Sequence, residues 1–215
     1  MAPGFEQAWA ELSPMFRRCL TLAWASLCSR GLPVGAVLSH DSEIASVGRN
    51  RVYDPPGGPD PLQRNVLAHA EMNALAAAVE EVDLERFQVW STQQPCSMCA
   101  AAIDFAGVPR VHFLATDPSD LSAKGRYASS GASEDIWTVV ANTFFLHNVA
   151  LVAGTDHPML AINRRQEPDV VSLALALLDR GVLIDAGESG ATVEEALTAN
   201  WEAVLDASRR RLSRR

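Results

Sequence analysis

Apolar positions along this chain change period several times, and each change marks an element. Ser13-Pro14 has the form of a helix N-cap and first helical residue. Met15, Cys19, Leu22, Ala23 and Leu27 then recur at helical spacing as far as Arg30, where Gly31 is placed to stop the run. Residues 34–38 form a short apolar run suited to a buried strand. Residues 39–43 are polar and turn-like, and 44–47 return as the second strand of a hairpin. Residues 51–65 hold four prolines and two glycines, which excludes helix and central strand and predicts a long, functional loop. An alanine-rich helix over 67–82, a strand over 87–92, a helix over 96–105 and a strand over 110–115 complete the order α-β-β-α-β-α-β. That order predicts an α/β fold, a sheet covered by helices on both faces.

Beyond Pro118 the pattern weakens. Residues 119–133 are small and polar, a predicted loop; 136–146 suit a helix and 149–153 a strand. Two terminal helices are expected over 169–178 and 192–211, separated by a turn near Gly187 and Gly190. The expected organisation is one catalytic domain over 1–160 with a helical extension, 161–215, packed on it.

Composition narrows the function classes. With 215 residues, 48% hydrophobic and 20% charged, the chain has enough apolar mass for a core. Its net charge of −8 and pI near 5.1 argue against a surface that grips many phosphates, so nucleic acid is not expected as a partner. No membrane span or secretory leader is apparent, and the expected location is cytoplasmic. Cys19 and Cys28 lie too far apart in one predicted helix to form a disulfide, which fits a reducing compartment.

The chemistry concentrates in two short segments, His69-Ala70-Glu71 and Pro95-Cys96-Ser97-Met98-Cys99. One imidazole and two thiolates give a zinc ion three protein ligands and leave its fourth position open, as catalytic sites do. Two cysteines three apart on a helix differ by about 60° in azimuth and can reach one ion. His69 and Glu71 would point about 200° apart on a regular helix. They can share a site only if the helix begins near Ala68 or His69. Glu71 is then free to shuttle protons for the water that such an ion activates, and the expected chemistry is hydrolytic deamination. A structural zinc site is the competing reading, but it normally has four protein ligands, and no fourth is apparent.

Four pieces of sequence carry a family resemblance: Pro33-Val34-Gly35-Ala36-Val37, Gly48-Arg49-Asn50, the segment from His69 to Leu75, and Ser91-Thr92 through Cys99 to Ile103. On these the chain resembles the cytidine deaminase superfamily, and within it the branch of tRNA adenosine deaminase, guanine deaminase and yeast-type cytosine deaminase. The resemblance implies a three-layer α/β/α sandwich around a mixed five-stranded sheet, here with extra C-terminal helices. It implies Zn2+ on His69, Cys96 and Cys99, with Glu71 as proton shuttle. It places Asn50 at the base or ribose, the base against Ala36 and Val37, the Ala70 backbone towards the substrate, and Asp117 as a further contact. It also implies a homodimer.

Several features keep two readings. Asn50 can instead close a turn after its strand, and Asp117-Pro118 is itself a turn signal. Trp137, Phe144 or Phe145 can stack on a base or belong to the core. The arginines over 209–215 resemble a nucleic-acid tail, yet basic residues at a helix C-terminus also complement its dipole. The expected function is zinc-dependent hydrolysis of a small amino-heterocycle, a nucleobase or nucleoside. A polynucleotide deaminase and a catalytically silent scaffold are the alternatives.

Overall fold

A computed structural model describes residues 3–78, 84–116 and 135–214. Asp117, the predicted 119–133 loop and residues 79–82 lie outside the described residues; the helix expected over 67–82 runs only from Ala70 to Ala76. The strands are β1 (Gly35–His40), β2 (Glu43–Arg49), β3 (Phe87–Gln93) and β4 (Arg110–Ala115). The sheet order is β2-β1-β3-β4, with β1 antiparallel to both neighbours and β4 parallel to β3. Around it stand α1 (Phe5–Glu11), α2 (Pro14–Cys28), α3 (Ala70–Ala76) and α4 (Ser97–Phe105). Then follow α5 (Asp135–Ala153), α6 (Pro158–Gln166), α7 (Pro168–Asp179), α8 (Val182–Glu188) and α9 (Val193–Ser213).

The sheet is mixed, as expected, but has four strands among the described residues rather than five. The predicted strand at 149–153 is the last part of α5. No breaker interrupts α5 before Gly154, whose φ of +86° ends it. Its apolar residues show no face preference because they are packed from several sides. By length and composition the window Ile136–Ala153 could cross a membrane, yet 67% of it is buried inside this fold.

Strand alternation divides the sheet into two faces. Val37 packs with Met15 and Cys19 on the α2 side, while Ala36 packs with Ala70 and Ala74 on the α3 side. Leu38, Val89 and Phe113 join Ile103 of α4 on that second face. Two glycines allow the close approach. A Cβ on Gly35 would lie 2.2 Å from the Cys19 carbonyl, and one on Gly48 would lie 2.3 Å from the Ala70 carbonyl. The hairpin turns through Asp41 and Ser42, both at positive φ, the conformation that two-residue loops require. At the end of α2 the left-handed position is taken by Arg30 (φ 57°) rather than Gly31, whose N–H instead closes the turn on the Ser26 carbonyl.

The helices after residue 135 share one core with α1 and α2. Phe16, Leu20 and Trp24 meet Val140 and Phe144 of α5, Leu177 of α7 and Trp201 of α9. Trp137 and Phe144, two of the three aromatics offered as stacking rings, are core residues at 2% exposure each. The expected turn near Gly187 is occupied by α8, and only Gly190 (φ +77°) turns the chain. α9 starts in a capping box between Thr192 and Glu195. The C-terminal arginines are tied down: Arg211 donates to Glu167 at 2.6 and 2.8 Å, and Arg214 pairs with Asp169 at 2.8 Å. Arg211 and Arg214 thus bind α9 to the start of α7.

Candidate active site

His69 is the N-cap of α3, in extended conformation (φ −72°, ψ 157°). Its side chain therefore leaves before the helical azimuth applies, while Glu71 sits inside the first turn. This is how two residues that a regular helix would point apart reach one place. Cys96 is likewise the N-cap of α4 and Cys99 lies within its first turn, so Pro95 precedes the helix instead of opening it. His69 Nδ1 is 3.7 Å from Cys96 Sγ and 3.5 Å from Cys99 Sγ. The three ligand atoms lie within 4.8 Å of one another. Tetrahedral zinc, with bonds of about 2.0–2.1 Å to nitrogen and about 2.3 Å to sulfur, sets such atoms about 3.5 Å apart. The donor set and its spacing fit zinc.

The protons in this cluster are unevenly shared. The Cys99 thiol donates to Cys96 and, against the opposing effect of burial, pulls the Cys96 pKa down to about 4; His69 adds to the fall. The same contact pushes Cys99 well up, with burial and the Glu71 charge adding to it. His69 is raised by its hydrogen bond with Cys96, against burial. Glu71, at 3% exposure, is raised by burial, partly offset by hydrogen bonds. Its Oε1 accepts from Ser91 Oγ at 3.0 Å, and Oε2 lies 3.5 Å from Cys99 Sγ. Ser91 thus pins one carboxylate oxygen and turns the other towards the ligand cluster.

Beside the cluster is a cavity of about 110 Å³. Its polar lining comes from Asn50, His69, Glu71, Gln93, Gln94 and Cys96, and its apolar wall from Leu32, Val34 and Phe145. Asn50 closes the turn that is its alternative reading, and it also stands at the cavity where a substrate contact is expected. Its Oδ1 closes a turn by accepting from the Val52 N–H at 3.2 Å, and the side chain also lines the cavity. Ala36 and Val37 do not form the wall. Both are fully buried, Val37 on the opposite face of the sheet against α2 and Ala36 against Ala70 and Ala74. Ala70 is also fully buried, with its carbonyl towards Gly48. Asp117, the remaining expected contact, lies outside the described residues. Leu32, Ser91 and Gln93 were not expected. Only Ser91 had a usable signal, lying two residues from the buried Val89 on the site face of β3.

The proline-rich loop is stitched rather than loose. Arg49 and Arg51 both hold the buried Asp54 carboxylate, and Arg51 also holds Asp60. The Arg51 N–H donates to the Ala68 carbonyl at 2.8 Å, which fixes the residue just before His69. Asn73 accepts from the Leu62 N–H at 2.8 Å and donates to the Arg49 carbonyl at 3.1 Å. The two cations that flank Asn50 in sequence are therefore each paired with aspartates of the loop.

Fold, ligand cluster and neighbouring carboxylate are those of the zinc-binding region of a deaminase family. The chain belongs to the cytidine and deoxycytidylate deaminase family, whose zinc-binding region matches residues 10–115. It is 31% identical to the tRNA-specific adenosine deaminase of Bacillus subtilis over 126 residues, covering 57% of this chain and 67% of that one. It is 35% identical to the tRNA-specific adenosine deaminase of Agrobacterium fabrum over 103 residues, 46% of this chain and 59% of that one. Among solved structures, guanine deaminase from Bacillus subtilis aligns at 27% identity with a TM-score of 0.42, over 53% of this chain and 69% of that one. The match spans little more than half of the Agrobacterium relative and 48% of tRNA-specific adenosine deaminase 2 from Danio rerio. Zinc is the metal of the family region, and the His69, Cys96 and Cys99 cluster suits it. The charge-based expectation against nucleic acid stands in tension with these relatives, several of which are named as tRNA-specific enzymes.

Proposed function

We propose that the protein hydrolyses the exocyclic amino group of a small heterocycle, a nucleobase or nucleoside, consuming water and releasing ammonia as the ring carbon gains oxygen. The observation that carries this reading is Glu71, a buried carboxylate pinned by Ser91 beside three converging zinc ligands, at the edge of a small walled cavity. Zinc held by His69, Cys96 and Cys99 supplies Lewis acidity that makes water a nucleophile near neutral pH. Glu71 Oε2 takes a proton from the attacking water and delivers it to a ring nitrogen, which makes the amino-bearing carbon electrophilic. It then takes the remaining proton from the added hydroxyl and gives it to the departing nitrogen, so that the carbon–oxygen double bond forms as ammonia leaves. One residue serves as base and then as acid because the cavity places it between water and ring. Leu32, Val34 and Phe145 hold the ring and exclude bulk water.

The size of the cavity, the pairing of Arg49 and Arg51 with Asp54 and Asp60, and the net charge of −8 support a small substrate. The names of the relatives support a second reading, deamination of adenosine within tRNA. Ammonia release from the zinc-loaded protein, measured across free bases, nucleosides and RNA stem-loops, separates the two. Turnover of the small rings is the expected result. Turnover of RNA alone sinks the small-substrate reading, and silence throughout leaves a non-catalytic scaffold. In the same assay Glu71→Ala is expected to keep stoichiometric zinc while losing about 10²–10⁴ in rate.

A further inference from the structure

Two side-chain amides line the cavity, and each is locked in one orientation by a backbone group. Asn50 Oδ1 accepts from the Val52 N–H, so the end left over is the donor, Nδ2. Gln93 Nε2 donates to the Ala141 carbonyl at 3.2 Å. A carbonyl oxygen can only accept, so this amide cannot be turned round and its acceptor, Oε1, is left over. Asn50 is 2% and Gln93 7% exposed, yet neither leftover atom has a hydrogen-bond partner among the described residues. Both residues line the cavity, which is where an entering molecule meets them. A buried polar group without a partner is costly, and a ligand that supplies one is favoured accordingly.

Resting on the deaminase reading, we infer that the cavity selects rings that offer an acceptor to Asn50 and an N–H donor to Gln93, the N–H being distinct from the amino group that leaves. An amino-oxo ring meets this requirement, as guanine does with its ring N–H and carbonyl oxygen, or free cytosine with its unsubstituted ring N–H and its carbonyl. Adenine joined to a ribose does not. Its ring nitrogens are acceptors, and its only N–H groups belong to the amino group being replaced. Gln93 is therefore a specificity-determining residue for the substrate class. It acts a second way, because Ala141 lies one helical turn before Phe145 on α5. The bond to the Ala141 carbonyl that orients the Gln93 amide thus also places the Phe145 ring over the cavity.

The test pairs each ring with its N-methylated counterpart: guanine with 1-methylguanine, and cytosine with 1-methylcytosine. Adenosine and an adenosine-containing RNA stem-loop are added. Binding is read by calorimetry on zinc-loaded Glu71→Ala protein and turnover by ammonia release from wild type. Methylation of the ring N–H is expected to cost at least one unmethylated ring about 10²-fold or more in affinity and in kcat/KM. In Gln93→Leu that discrimination is expected to fall below about tenfold. Indifference to methylation, or adenosine handled as well as the amino-oxo rings, overturns the inference even while ammonia release upholds the deaminase reading. Selective binding without ammonia from wild type does the reverse. Absence of both binding and turnover removes both.

Discussion

Apart from the two amide ends at the cavity, most buried polar groups around the sheet are paired among the described residues, whereas on α5 several are not. Near the site, Ser91 serves Glu71, Asn73 joins loop to strand, Ser46 Oγ donates to the Ala74 carbonyl at 2.6 Å, and Asp54 receives two arginines. On α5 the amide nitrogens of Asn142 and Asn148, the Thr143 hydroxyl and both ring nitrogens of His147 have no hydrogen-bond partner among the described residues. Burial alone pushes the His147 pKa down to about 4. The two regions are stabilised differently. The sheet region is specified by directional bonds that set angles at the site, and α5 is held mainly by apolar volume. Thr138 Oγ1 donating to the Leu114 carbonyl and Gln93 donating to the Ala141 carbonyl anchor α5 to the sheet. The second is the one that reaches the cavity.

If that division holds, removing a ligand and removing core volume should give opposite results. The largest effect is expected from Cys99→Ala, which leaves two protein ligands. Zinc content by elemental analysis should fall well below one per chain, and turnover should drop by about 10³ or more. Retained zinc with full activity would show that the cluster is not the metal site. Leu177→Ala in the helical core should instead cost about 2–5 kcal/mol in a denaturant titration while zinc content and kcat of the folded protein stay near wild type. A lost zinc site in that variant would mean the two regions are not separable. The smallest effect is expected at their point of contact. Phe145→Leu should raise KM about tenfold with kcat little changed, as expected when a wall binds substrate and transition state alike. An equal fall in kcat would give Phe145 a part in the chemistry.

Much of the site was legible because its residues act through local geometry. Pro95 before Cys96, and a proline-rich loop before His69, mark helix starts, and helix starts free the N-cap side chains from the helical period. The hairpin and the β3-α4-β4 unit followed from the switch between apolar runs and helical spacing. Other assignments failed where local pattern has no power. Residues 149–153 are as apolar as a strand, but burial from several sides erases the period that separates strand from helix. Arg30 took a left-handed position that glycine normally fills, because the end of α2 placed the turn one residue earlier.

The cavity wall shows the limit most clearly. Ala36 and Val37 stand in a recognisable motif, yet alternation along β1 sends one beneath α3 and the other beneath α2. Phe145 belongs to no motif and reaches the site only because α5 docks on the ends of β3 and β4. By itself the sequence picked out the cluster that suits zinc, the carboxylate beside it and the helices that begin there, since each depends on neighbours a few positions away. Tertiary structure alone decided what surrounds the substrate and which end of each amide faces it, because those depend on where distant segments pack.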